Sequence, residues 1–324
     1  MQAIVYRRYG APDVLEFEKI PKPTPGEDQV LIQVHAASVN PYDWHFLRGT
    51  PSPIRLFIGM RKPKFPQLGA DVAGIVEAVG AKVASIKVGD AVFGTAKGSF
   101  AEYACGAAAQ LAMKPQELSF EQAACLPIAG ITALQGLRDK ANVQPGQTVL
   151  INGAAGGVGT FAVQIAKSFG TRVTGVCSTR NVEFLRSIGA DDVIDYSVED
   201  FARSDQRYDL LFDLVGNRSL SDCLSVVQPH GTYIACGGGG PERSTIDLIG
   251  GMLQNTIRSK FISQKMPGLL AKANSEDLAI LADLVRRGTV APAVDRTYSL
   301  RDTANAIRHV EQGHVRGKVV IAIA

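Results

Sequence analysis

The chain has 324 residues, 46% of them apolar and 20% charged, with a formal net charge of +3. That length suits two globular domains, the balance leaves no need for a disulfide or metal staple, and the charge is too small and scattered for a nucleic-acid footprint. Cys105, Cys125, Cys177, Cys223 and Cys236 are odd in number and widely spaced. They read as reduced thiols of a cytoplasmic protein rather than disulfides or a zinc pair. In chain order, Met1–Tyr6 reads as a strand rather than a leader. Pro21, Pro23, Pro25 and Gly26 then punctuate before a strand at Val30–His35, with β-branched residues at 30, 32 and 34. Shorter strands are expected at Val72–Val79 and Ala91–Phe93, so the first third is β-rich.

At Ser119 the texture changes. Ser119 and Gln122 fit a capping box, and an apolar helical pattern follows through Leu126, Ile131, Leu134 and Leu137, interrupted by Pro127 and Gly130. From Thr148 strands and helices alternate. Strands are expected at Thr148–Asn152, Arg172–Cys177, Asp192–Tyr196, Asp209–Val215 and Thr232–Cys236, and a last one at Lys260–Ser263. Helices are expected at Val158–Phe169, Asn181–Ile188 and Ser219–Val227. This spacing implies a parallel, doubly wound sheet. The uncharged stretch 142–166 contains Pro145 and several glycines, so it reads as strand, turn and helix and not as a membrane span. In the tail, one helix ends at Gly288, a second is capped at Ser299–Asp302 and ends at Gly313, and Lys318–Ile323 closes as a strand. That mixed pattern does not extend a parallel sheet, so the tail is expected to fold back on the N-terminal unit.

The strongest motif is Asn152-Gly153-Ala154-Ala155-Gly156-Gly157-Val158-Gly159, between an expected strand and an expected helix. Such a turn presents helix-terminal N–H groups, here around Ala155, Gly156, Gly157 and Val158, to a pyrophosphate. Ala154 replaces the usual first glycine. The second strand ends Cys177-Ser178-Thr179-Arg180, with no carboxylate for the ribose hydroxyls of NAD. Ser178 and Thr179 offer hydrogen bonds and Arg180 a charge to a 2′-phosphate, which favours NADPH.

With these residues in view, the chain resembles the medium-chain dehydrogenase/reductase superfamily, in its zinc-free quinone oxidoreductase (zeta-crystallin-like) branch. The matching stretches are Ala36–Asp43, Gly69–Gly74, Val88-Gly89-Asp90, Ala154–Gly159, Leu185–Ile194 and Arg316–Val320, in that order and over nearly the whole length. The resemblance implies an α/β protein: a Rossmann cofactor-binding domain (124–264) with a doubly wound parallel sheet, and a discontinuous GroES-like, β-rich catalytic domain (1–123 and 265–324). It also implies a cleft between them, and a homodimer. Zinc-dependent relatives carry Cys where this chain has Ser38 and Gly-His-Glu where it has Gly69-Ala70-Asp71. They also carry a four-cysteine lobe after the Val-Gly-Asp turn, where this chain has no cysteine before Cys105. No metal is therefore expected.

The resemblance further implies that Asn40 lies by the nicotinamide and substrate, and Thr132 by the nicotinamide ribose. Tyr196 would lie near the adenosine phosphate, and Leu214, Val215, Gly216, Gly237 and Gly238 would line the ring. Lys318 would approach the cofactor. Without zinc, hydrogen-bond donors must stabilise the developing oxyanion or enolate. Asn40 is the first choice, Tyr42 the leading proton donor, with solvent as its rival, and Asp43 an orienting or capping group. Trp44, Phe46, Leu47 and an irregular, lid-like loop over Thr50–Phe65 are expected around the substrate; Trp44 and Phe46 also suit a core. His35 is expected on a strand surface and His45 as a packing or cleft residue. The reading is an NADPH-dependent reductase of quinones or α,β-unsaturated carbonyls. Two others stay open: an alcohol dehydrogenase or carbonyl reductase on a simple C=O, and an NADPH-binding protein with little turnover. Neither nucleic acid nor membrane is an expected partner.

Overall fold

The computed structural model describes residues 1–237 and 263–323. The chain divides into two compact units, Met1–Ile131 with Lys272–Ala324, and Thr132–Ala271. The boundaries expected at 123/124 and 264/265 fall eight and seven residues earlier than these divisions at 131/132 and 271/272.

The first unit opens with β1 (Gln2–Val5) antiparallel to β2 (Glu16–Lys19). The long strand β3 (Gln29–Val39) pairs with β4 (Asp71–Val79), which pairs with β5 (Ala91–Thr95), all antiparallel. Later, β6 (Tyr103–Ala107) pairs with the first half of β3 and β7 (Leu111–Met113) with β5. Between β3 and β4 run α1 (Pro41–Arg48) and the short α2 (Arg55–Ile58). Pro41 supplies a preset φ at the first helical position, and Asp43 reaches back to accept the Asn40 backbone N–H at 2.8 Å. Gly49, left-handed at φ +59, stops the helix. The loop expected over Thr50–Phe65 thus contains a 3-10 turn at Ser52–Ile54 as well as α2.

Helix α3 (Phe120–Ala124) begins with the expected capping box: Ser119 Oγ accepts from Gln122 N, and Gln122 Oε1 from Ser119 N. The apolar pattern beyond it is a second helix, α4 (Pro127–Gln135). Proline lacks the N–H that would continue α3 and is favoured in a first turn, so Pro127 separates the two.

The second unit is a five-stranded parallel sheet. Its strands are β8 (Thr148–Asn152), β9 (Arg172–Cys177), β10 (Asp192–Asp195), β11 (Tyr208–Asp213) and β12 (Val227–Ala235), in the order β10-β9-β8-β11-β12. Helices α5 (Gly157–Ser168), α6 (Val182–Ser187) and α7 (Leu220–Ser225) connect them. The order reverses beside β8, which creates the topological switch point where such sheets take ligands. Leu150, Val176, Leu211, Val226 and Val227 form one buried cluster. Thr232 bridges Lys265 in parallel at the β12 edge; the strand expected at Lys260–Ser263 lies almost wholly outside the described residues.

The tail returns to the first unit. Helix α8 (Ser275–Arg286) is capped by Asn274, whose side chain accepts from Asp277 N. Next come β13 (Val294–Ser299), a Ser299-capped turn, α9 (Thr303–Glu311) and β14 (Lys318–Ala322). β14 lies antiparallel to β3, with Val320 opposite Ser38 and Val319 opposite Val39, and completes a seven-stranded sheet. The expected fold-back is therefore physical pairing: the tail supplies two strands of the N-terminal sheet.

Candidate active site

In the first unit, the chemistry gathers where β3 runs into α1. The pairing of β14 with β3 brings Lys318 beside residues some 280 positions earlier. Its ammonium donates to Val39 O at 3.1 Å and to Asn40 Oδ1, and lies 3.5 Å from Asp71 Oδ2. Asn40 is 2% exposed. Its amide nitrogen donates to Asp71 Oδ2 at 2.8 Å and to Ser38 O at 3.3 Å. Asp71 Oδ2 also accepts from Ser38 Oγ at 2.6 Å, and its Oδ1 from Ile128 N at 2.9 Å. The amide orientation follows from this network, since only it sets the oxygen on the ammonium and the N–H groups on the carboxylate. Both amide protons of Asn40 are thus engaged inside the protein.

Asp43 is fully buried and accepts two backbone N–H bonds, from Asn40 and from Gly69 at 3.0 Å. Burial pushes its carboxyl up to about 7; the two N–H groups and Lys318 oppose that rise and Asp71 adds to it. Tyr42, one position earlier, is 42% exposed, with its ring 4.0 Å from that of Phe46. Burial, then the nearby Asp43, pushes its phenol up to about 12, so it keeps its proton at neutral pH. Phe46 is half-buried, whereas Trp44 and Leu47 sit in a core cluster with Ile4, Tyr6, Leu68 and Phe100. Leu47 has no exposed surface left to offer a substrate. His35 stacks on Phe120, and His45 holds Thr50 O through Nδ1 at 2.9 Å.

In the second unit, Gly153–Gly159 forms the turn between β8 and α5. Gly153 has φ +84, a region open mainly to glycine. A Cβ on Gly159 would stand 2.2 Å from Gly153 O, so the helix packs on the turn only without one. Gly156 begins α5 with no side-chain cap, and its absent Cβ would meet nothing nearer than Gly153 O at 3.4 Å. The first-turn N–H groups at Gly157, Val158 and Gly159 have no intrahelical acceptor, and Ala155 precedes them. This open, uncapped helix start fits a dinucleotide pyrophosphate.

Ser178 and Thr179 follow β9, with Thr179 Oγ1 3.0 Å from Ser197 Oγ. Asp195, at the end of β10, is held below its ordinary value by hydrogen bonds from Ser197 and then Thr179. Arg180 is exposed, and so is Tyr196, whose N–H donates to Cys177 O at 2.9 Å. Thr132 is buried in α4. Asp213, which the sequence reading did not single out, organises the end of β11. Its Oδ1 accepts from Asn152 Nδ2 at 2.9 Å, Val215 N at 3.1 Å and Gly216 N at 2.9 Å. It thereby fixes the Leu214–Gly216 turn, and Gly237 packs so closely on Leu214 O that a Cβ would stand 2.4 Å away. Gly238 lies outside the described residues.

Asp71 and Asp213 share one signal: a carboxylate at the end of a strand, directly beside a run of apolar residues, buried only because partners satisfy it. The thiols of Cys125 and Cys223 are pushed up to about 12 by burial, which leaves neither as a ready nucleophile. The residues at Ser38, Ala70 and Asp71 do not fit zinc. Ala70 has no donor atom, and Asp71 is already bound by Ser38, Asn40, Ile128 and the Lys318 ammonium. Among the described residues no group of three His, Cys, Asp or Glu could hold a metal, and no helix is long and apolar enough to cross a membrane.

Residues 26–116 match the family model described as alcohol dehydrogenase GroES-like domain, and residues 188–321 the one described as zinc-binding dehydrogenase. The chain is 32% identical to the chloroplast envelope quinone oxidoreductase homolog of Arabidopsis thaliana, over 99% of this chain and 98% of that one. It is 35% identical to the 2-methylene-furan-3-one reductase of Solanum lycopersicum, over 99% of this chain and 79% of that one. The solved quinone oxidoreductase of Coxiella burnetii superposes with a TM-score of 0.85 at 34% identity, covering 100% of this chain and 99% of that one. The chain therefore belongs to the medium-chain dehydrogenase/reductase superfamily, in its quinone oxidoreductase branch, and is an oxidoreductase that uses a nicotinamide cofactor on a small molecule.

Proposed function

We propose that the protein is an NADPH-dependent, zinc-independent reductase of quinones or α,β-unsaturated carbonyls. The observation that carries this is its similarity, over 99% of this chain in each case, both to a protein named for quinone reduction and to one named for reducing a methylene-furanone. When bound, the reduced nicotinamide supplies the hydride. Ala155, Gly156, Gly157 and Val158 cradle the pyrophosphate at the α5 N-terminus. Ser178, Thr179 and Arg180 bind the 2′-phosphate, with Tyr196 beside the adenosine. Thr132 serves the nicotinamide ribose, and Leu214, Val215, Gly216, Gly237 and Gly238 serve the ring.

On the substrate side, Tyr42 donates the proton that completes reduction of the enolate or quinone oxyanion. Its exposure and its held proton support that role. Phe46 offers apolar surface beside it. Asn40 and Asp43 form the turn from which Tyr42 projects, and Trp44 and Leu47 anchor the same helix to the core. Lys318 acts one step removed, through Asn40. The protein is further proposed to work as a cytoplasmic homodimer, which light scattering checks.

The test is steady-state turnover of chelator-treated protein with NADPH or NADH against quinones, enones and simple aldehydes. NADPH oxidation on the first two classes is expected. Turnover confined to aldehydes, or lost on chelation, contradicts the reading.

A further inference from the structure

Lys318, Asp71 and Ser38 are polar residues beside Asn40 that the reaction as proposed leaves without direct work, yet all three are buried. Lys318 opens the last strand, Asp71 opens β4 and Ser38 stands one residue before the end of β3, and all three side chains converge on Asn40 or on its partner. Every polar atom of the Asn40 side chain is spoken for. Its oxygen accepts from Lys318, and its nitrogen donates to Asp71 and to Ser38 O. Such a network permits one side-chain orientation, because rotating the amide by half a turn would set N–H against ammonium and oxygen against carboxylate. Asn40 is also the residue whose backbone N–H is held by Asp43 at the start of α1.

We propose that Lys318, Asp71 and Ser38 are positioning residues: together they lock the Asn40 amide, and through it the first turn of α1 that presents Tyr42. The C-terminal strand is then a functional part of the active site and more than a cover for the sheet. This rests on the proposed reaction only in taking Tyr42 as the proton donor; the lock itself is a statement about α1.

A buried pair is often needed simply because removing one charge strands the other, and removing both relieves that cost. The discriminating set is therefore Lys318→Met, Asp71→Asn and the double variant. The double variant strands no charge, so it recovers melting temperature lost by the single variants. Positioning predicts that it does not recover turnover: kcat stays down by about tenfold or more while KM for NADPH stays within about twofold. The chain's one tryptophan, Trp44, lies on α1, and its emission reads the helix without any substrate. It is expected to shift in the folded double variant. Wild-type kcat there, or unshifted Trp44 emission, overturns the proposal and leaves a structural ion pair. A raised KM for NADPH with kcat retained overturns it in favour of a direct cofactor contact. If the wild-type protein reduces neither quinones nor enones, the functional reading fails, and the Trp44 emission alone decides whether the lock exists.

Discussion

Gly69 donates its backbone N–H to Asp43 Oδ1 at 3.0 Å, so the turn leading into β4 is tied to the first turn of α1 by a fully buried carboxyl. That carboxyl has been moved by burial from its ordinary 3.8 to about 7, with Asp71 raising it and the two backbone N–H groups and Lys318 lowering it. Tyr6 and Tyr42 also face it. A folded-state value above the unfolded one means that the folded protein holds the extra proton. The resulting stability is complete below about pH 4 and is lost as pH rises through about 7. Thermal melting from pH 5 to 8 is therefore expected to show a decline that Asp43→Asn removes. An unchanged slope in the variant would contradict this.

Tyr42→Phe removes the proposed proton donor and leaves the ring contact with Phe46. General-acid catalysis is typically worth about a hundredfold or more. Enone reduction should fall by that order, with NADPH binding unchanged. Quinone reduction should fall less, because solvent protonates a hydroquinone oxyanion readily. Equal turnover of both substrates in variant and wild type would assign the proton to water.

Arg180→Ala tests the phosphate assignment. A charge-assisted hydrogen bond contributes about 1.5–3 kcal/mol, so KM for NADPH should rise by about tenfold or more while KM for NADH moves by less than about twofold. Equal changes for the two cofactors would place Arg180 outside a 2′-phosphate pocket.

Asp213→Ala leaves the N–H groups of Asn152, Val215 and Gly216 without their common acceptor. Stranding a buried donor costs about 1–3 kcal/mol when water does not replace the partner, but the Val215 and Gly216 N–H groups are only part-buried and Asn152 Nδ2 keeps Asn217 Oδ1 at 3.1 Å. Urea unfolding should therefore show a loss of about 2–4 kcal/mol, and Asp213→Asn, which keeps one acceptor, should lose less. An alanine variant as stable as wild type would mean that the Leu214–Gly216 turn is held by other contacts.

The second unit was largely legible in the sequence for a physical reason. Thr148–Asn152 and Arg172–Cys177 are short runs buried on both faces, and parallel strands of that kind read as apolar blocks with sharp ends. The capping box at Ser119 and Gln122 was legible because both halves lie within four residues. The lock around Asn40 was not: Lys318, Asp71 and Ser38 meet only after β14 pairs with β3, and no local pattern encodes that register. The resemblance implied a cofactor contact for Lys318 and marked Asp71 as standing where zinc-dependent relatives carry a ligand, and neither reading foretold their meeting at Asn40. The division at Pro127 was visible as an interruption, but whether it kinked one helix or separated two depended on packing.

The central claim is hydride transfer from NADPH to an activated acceptor, and isotope tracing tests it most directly. NADPH deuterated at the transferable position of the nicotinamide ring would be incubated with the protein and an enone, and the product examined by NMR. The account predicts deuterium at the β-carbon and a solvent-derived proton at the α-carbon. Deuterium on the carbonyl carbon, or none in any product of a protein that binds NADPH, would contradict it.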